Sequence, residues 1–253
     1  MRIGLGISIP GQSGVPWSPL SLGSALMSWH RGDLGVTLNG STVSEWADQS
    51  GNAHTFSQGV AANQPTYVAS DSNFGGQSSV QFLGTNDKLD HTATWTAPTA
   101  LDLFCVLLVV NDPGTGVAAT GSGPFQMGSW SPGTLSALYT HSDGDVYMGA
   151  GSTTRKTTAF DPAPGLITVK HALRMISVAG EWTMEINGTQ RYTTATNTVG
   201  WDTTPILGAS DLATDWFFVG RIAELITMNA KASAAQLADI EAYLSARYGV
   251  TFA

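Results

Sequence analysis

Charge is scarce in this 253-residue chain: only 12% of its residues are Asp, Glu, Lys or Arg, about half the usual share of a globular protein. The Lys and Arg residues form no cluster, and the net charge is −8. Nucleic-acid binding needs several cationic contacts to phosphate, so that class is excluded. An anionic membrane surface is excluded on the same ground. Cysteine is almost absent. Cys105 stands alone, so no intrachain disulfide forms. It lies inside the apolar run 103–110 and reads as a small buried hydrophobe. That run is bounded by Asp102 and Asp112 and is far too short to cross a bilayer as a helix. Residues 1–10 hold one basic side chain, a glycine-broken apolar run and no clear cleavage site. No secretory signal peptide is expected from them. Motifs for chemistry are missing as well. There is no Gly-x-Ser-x-Gly elbow, no His-Glu-x-x-His and no glycine-rich phosphate loop. His30, His54, His91, His141 and His171 are scattered without metal-ligand spacing.

What is present is β-rich. Short apolar runs punctuated by Gly, Asn, Asp and Pro predict strands over 43–46, 66–69, 80–83, 101–110, 135–140, 146–150, 166–178 and 216–226. Residues 181–188 are the clearest case. Trp182, Met184 and Ile186 share one face, Thr183 and Glu185 the other, and Asn187-Gly188 supplies a hairpin turn. Strands at this spacing with no βαβ rhythm predict a sandwich. The spacing after residue 232 predicts one amphipathic helix. Ser233 and Gln236 form a capping box, and Leu237, Ile240, Leu244 and Tyr248 form a stripe with Tyr243 beside it. Gly249 closes the helix. Residues 1–23 are rich in Gly, Pro and Ser, with Ile3, Leu5, Ile7 and Ile9 alternating. They read as an extended arm that docks on a partner, ahead of a single domain over 24–253.

Several blocks occur in a particular order: Trp46-Ala47-Asp48-Gln49-Ser50-Gly51-Asn52; Pro65-Thr66-Tyr67; Val80-Gln81-Phe82-Leu83-Gly84, with Asp87 and Leu89; Glu185-Ile186-Asn187-Gly188; Gly220-Arg221-Ile222-Ala223-Glu224; and Tyr243-Leu244 to Gly249. Together, over about residues 25–250, they resemble the concanavalin A-like, laminin-G-type jelly-roll modules of tailed-phage virion proteins and bacterial surface proteins. The resemblance implies an all-β jelly-roll β-sandwich with one C-terminal amphipathic helix. It implies a non-catalytic phage virion protein, a tail, fibre or capsid-decoration module that assembles in the host cytoplasm. Its partners would be other virion proteins, further copies of itself and host surface glycans. The alternatives are a carbohydrate-active enzyme of the same fold, glycanase or lyase, and a bacterial surface adhesin.

Glycanases of this fold carry Glu-x-Asp-x-x-Glu, placing two acids ~5 to ~9 Å apart across one glycosidic bond. That pattern is absent, and the nearest acids are Glu181 and Glu185. The expectation is therefore a protein that is not an enzyme. Glu224, inside an apolar strand, needs a partner if buried; Arg221 and Arg174 are the candidates. No cofactor is expected, although such jelly rolls hold structural calcium. Asp48 with Asn52, Asp143 with Asp145 and Asp211 with Asp215 are the candidate ligands. A turn held by side-chain-to-backbone bonds is the simpler role for Asp48 to Asn52. Trp95, Trp130, Trp201 and Trp216 lie in loop-like stretches. An exposed indole there would stack on a sugar face, whereas the ordinary role of a tryptophan is packing.

Overall fold

The computed structural model describes residues 16–92, 99–110, 123–126, 146–148, 156–160, 166–197, 205–209 and 217–253. In chain order the strands are β1 (Leu26–Arg31), β2 (Val36–Asn39), β3 (Thr42–Trp46), β4 (Phe56–Ser57), β5 (Thr66–Asp71), β6 (Gln77–Leu83), β7 (Leu89–His91) and β8 (Leu101–Val109). They continue as β9 (Phe125–Gln126), β10 (Val146–Met148), β11 (Lys156–Phe160), β12 (His171–Val178), β13 (Glu181–Ile186), β14 (Thr189–Thr194), β15 (Ile206–Leu207) and β16 (Val219–Met228). One helix, α1 (Ala234–Tyr248), follows. The main ladder runs β14-β13-β12-β8-β16-β6-β5-β3-β4-β7-β15-β9, with β1 on β16 and β2 on β3. Among the described residues these strand pairings are all antiparallel, and one isolated bridge, Gly123 with Phe217, is parallel. This is an all-β sandwich, and among the described residues its one α-helix is the C-terminal one.

Strand β8 shows how the layers stack. Leu103, Cys105, Leu107 and Val109 join the large apolar cluster that includes Trp46, Phe56, Phe82, Met175, Trp182 and Phe218. Phe104, Val106 and Leu108 join a second cluster with Trp29, Ile226, Ile240, Leu244 and Tyr248. One face meets the opposing strands and the other meets α1. A strand covered on both faces has no solvated side to alternate with, which is why residues 103–109 are continuously apolar. Burial pushes the Cys105 thiol well above its usual range, so it stays protonated.

The hairpin and helix form as their sequences predict. Asn187 and Gly188 take positive φ of 52° and 75° between β13 and β14. The Ser233 side chain accepts from Gln236 N, and the Gln236 side chain accepts from Ser233 N. Ile240, Leu244 and Tyr248 are buried, each worth about 1.5–3 kcal/mol on folding.

Two expectations change. Residues 166–170 form bends rather than the start of a strand. Ile167 is buried and its carbonyl accepts from Val109 N, which turns the chain before β12 begins at His171. The arm boundary after residue 23 falls inside packed structure. Pro19–Ala25 makes a 3-10 turn, Leu22 is buried in the cluster beneath α1, and Trp17 lies 5.4 Å from Tyr243. Apolar Trp17 and Leu22 find cover on the flank of the helix, so at least residues 17–23 belong to the domain. Ile3, Leu5, Ile7 and Ile9 lie outside the described residues, as do 135–140, 149–150 and Trp216.

Candidate functional site

The site on the helix side begins with a bulge. Strand β16 slips register against β8 between Ile222 and Glu224. Ile222 and Leu225 both enter the sandwich core, while Ala223 enters the cluster beneath α1. Without the extra residue, strict alternation would place Glu224 on the same face as Ile222, inside the apolar interior. The bulge instead aims it toward α1. There its carboxylate accepts from Trp29 Nε1 at 2.6 Å, Tyr243 OH at 2.9 Å and Tyr248 OH at 2.6 Å. Arg247 Nε stands 3.9 Å away. Burial pushes the Glu224 pKa up, and these donors offset only part of that rise. Burial and then the Glu224 charge push both tyrosines upward, so their hydroxyls stay protonated as donors. Arg221 and Arg174, the partners expected from sequence, serve other acids. Arg221 bonds Asp71 at 2.9 Å, and Arg174 bonds Asp102 at 2.8 Å and Glu185 at 3.1 Å. Both arginines lie on the α1-facing side of the sheet, as Glu224 does, but are committed to those acids.

Above this network runs a groove of about 750 Å³ between the segment Pro16–Ser18 and α1. Trp17 and Tyr243 form an aromatic corner with rings tilted 55° to each other. Ala242 and Ala246 leave room along the helix, and Arg31, Arg247, Gln77 and Asp239 supply polar groups. Asp33 bridges the two guanidinium groups, 2.6 Å from Arg31 Nε and 2.8 Å from Arg247 Nη2. Burial alone would raise the Asp33 pKa, but the arginines outweigh it and hold the carboxylate ionised. Trp17 was hidden in the expected arm, and nothing in the local sequence marks it as part of a groove.

The loop after β3 does something different. Asp48 accepts from Trp29 N at 2.9 Å, Ser50 N at 2.8 Å, Ser50 Oγ at 2.6 Å and His54 N at 3.1 Å. Burial opposes its ionisation, but these four donors win and hold its pKa low. Asn52 Nδ2 donates to the carbonyls of Leu26 and Met27, both at 3.0 Å. The block Trp46–Asn52 thus clasps the backbone of β1, satisfying groups that β16 does not reach. Asp48 and Asn52 are brought together, but both face protein partners, and a cation at Asp48 would compete with four donors. Among the described residues no cluster of three or more His, Cys, Asp or Glu has metal-binding geometry. A polar pocket of about 380 Å³ lies beside this loop, lined by Ser24, Ser50, Asn52, His54 and Asn229.

Three of the scattered histidines meet next to it. His30 is fully buried against Trp46 and Phe56, and burial lowers its pKa to about 4. It contacts the His54 carbonyl at 2.8 Å, and His54 Nδ1 lies 3.3 Å from His91 Nε2. The sequence separation of these residues gave no sign of their meeting.

The acids weighed as catalysts all have structural partners. Glu181 bonds Lys231 at 2.6 Å and Glu185 bonds Arg174. Trp95, Trp130 and Trp201 lie, like Trp216, outside the described residues, together with Asp143, Asp145, Asp211 and Asp215.

No family model and no curated protein matches this sequence. Solved structures do. The receptor-binding domain of botulinum neurotoxin D superposes with a TM-score of 0.59 at 11% identity, covering 90% of this chain and 54% of that one. Domain 4 of AbnA, a GH43 extracellular arabinanase from Geobacillus stearothermophilus solved with arabinotriose, gives 0.58 at 15% identity, covering 85% and 98%. Trypanosoma rangeli sialidase, solved with sialic acid, gives 0.57 at 11% identity, covering 88% of this chain but only 33% of the sialidase. The likeness is one of fold. The chain spans about a third of the sialidase and nearly all of the arabinanase domain.

Proposed function

We propose that this chain is a non-catalytic, carbohydrate-contacting module of a tailed-phage virion, serving as a tail, fibre or capsid-decoration part. The observation that carries the carbohydrate reading is the match to arabinanase domain 4, over 85% of this chain and 98% of that domain, in a structure solved with arabinotriose. A sandwich of this extent holds a sugar in that protein with no further domain present. The non-catalytic reading is supported by Glu181, Glu185 and Glu224, each tied to structural donors or cations. Pairs committed in this way do not offer one free acid and one free base across a bond. The virion reading is supported by the order of the sequence blocks and by the alternating residues Ile3, Leu5, Ile7 and Ile9, which would dock on a neighbouring virion protein or a further copy. Trp95, Trp130, Trp201 and Trp216 are the proposed glycan contacts of the loops.

The test has two arms. Antibody labelling and electron microscopy of intact particles should place the chain on the virion; its absence from purified particles would refute that role. Incubation with β-glucans, alginates and envelope polysaccharides should yield saturable binding without new reducing ends or unsaturated products. Turnover abolished by Glu181→Gln, Glu185→Gln or Glu224→Gln would establish the rival, an enzyme.

A further inference from the structure

We propose that the groove between Pro16–Ser18 and α1 is a binding site for a neutral saccharide, built from residues other than the four tryptophans named above. It rests on the carbohydrate reading above but assigns the contact to described residues, Trp17 and Tyr243 among them. The groove combines the two features that sugar recognition requires. The first is an aromatic surface for the C–H face of a ring, here Trp17 and Tyr243, 5.4 Å apart at one end. The second is a set of planar polar groups that pair with adjacent hydroxyls, here Asp239, Gln77 and the two guanidinium groups. Its volume of about 750 Å³ lies within the range of small-molecule sites.

Its rigidity comes from below. Tyr243 is held through its hydroxyl by Glu224, and Arg247 by Tyr248 and Asp33. The α1 wall is therefore held before a ligand arrives, which lowers the ordering cost of binding. Charge selects a neutral ligand. Asp33 already lies between Arg31 and Arg247, and Asp239 adds another negative group at the rim. An acidic sugar would meet the Asp239 carboxylate and two guanidinium groups already shared with Asp33. An extended apolar peptide would bury three charged groups and one amide against its side chains, which the saccharide's hydroxyls satisfy instead.

The test is calorimetric titration of the full chain with arabinotriose, maltotriose, cellotriose and mannotriose, with sialyllactose as the acidic control. At least one neutral trisaccharide should bind and sialyllactose should not. Trp17→Ala should weaken binding about tenfold or more, as loss of an aromatic stacking partner does. Trp17→Phe should recover most of it. Gln77→Ala and Asp239→Asn change rim side chains outside both apolar clusters, so they test the site even where Trp17→Ala melts early. Each should weaken binding severalfold, and Trp201→Ala should leave it unchanged. Preference for sialyllactose, or unchanged affinity in folded Trp17→Ala, overturns the site. Loss confined to Trp201→Ala overturns the site yet keeps the carbohydrate reading. Failure of every saccharide to bind the wild type overturns both.

Discussion

Replacing Glu224 separates the cost of burying its charge from the value of the bonds it accepts. In Glu224→Ala, Trp29 Nε1 and Tyr248 OH lose an acceptor at 2.6 Å each, and Tyr243 OH loses one at 2.9 Å. Tyr243 is half-buried and reaches water; Trp29 and Tyr248 are buried. The stranded Trp29 donor, a Tyr248 hydroxyl left with only the long contact of 3.5 Å to the Ala223 carbonyl, and the cavity together should cost about 3–5 kcal/mol. For a domain of this size each kcal/mol shifts Tm by about 2–4 °C, so Tm should fall by roughly 6–20 °C. Glu224→Gln keeps the shape and one carbonyl acceptor, and the Tyr248 hydroxyl has the Ala223 carbonyl 3.5 Å away as an alternative. It should stay within about 1 kcal/mol of wild type at pH 7.

The pH dependence follows from the direction of the Glu224 shift. Its pKa is raised in the folded state, so between the ordinary glutamate value and the folded value the native protein binds more protons than the unfolded chain. Stability from this group is fully present below the unfolded pKa and is lost as pH rises through the folded one. The wild-type-minus-Gln difference in unfolding free energy, from urea melts between pH 4 and pH 8, should therefore decline with rising pH. A flat or rising difference curve, or Glu224→Gln as damaging as Glu224→Ala, would refute the reasoning.

Three further outcomes are expected. Cutting the chain after Asn229 removes Ile240, Leu244 and Tyr248 from the second cluster, at about 1.5–3 kcal/mol each, and an unchanged melting temperature would contradict the role given to α1. Arg174→Ala leaves Asp102 as a fully buried carboxylate without its guanidinium, costing about 3–5 kcal/mol, whereas Arg174→Met paired with Asp102→Leu should recover most of the loss in urea melts. A variant lacking residues 1–15 should melt like wild type but fail to enter particles, and equal incorporation would remove the docking role of Ile3, Leu5, Ile7 and Ile9.

Local order in this protein was readable from local sequence. The capping box at Ser233, the Asn187-Gly188 turn and the Trp182, Met184, Ile186 face each depend on neighbours within a few residues. What escaped is the product of distant pairing. That Glu224 is buried could be read from its apolar strand, but its partners could not, because a one-residue bulge in β16 decides which face it occupies. The histidine cluster joins positions 30, 54 and 91, and the groove joins positions 17, 31, 77 and 239 to 247. The resemblance named Asp48 and Asn52 as candidates without showing their work, which is to hold the backbone of β1.

The pairing of β1 with β16 makes the first strand wait for the last during synthesis. Ser28 and Thr227, whose hydroxyls meet at 2.6 Å, are 199 positions apart. At a translation rate of about 5–20 residues per second, β1 waits roughly 10–40 seconds for its partner to leave the ribosome. Throughout that interval Met27, Trp29 and the unpaired edge of β1 stay uncovered, a template for pairing with other nascent chains. The clasp from Asp48 and Asn52 emerges only some twenty residues after β1. It shields one edge of the strand early and leaves the other for β16. That early cover leaves only one edge of β1 open to pairing with another nascent chain before the last strand arrives.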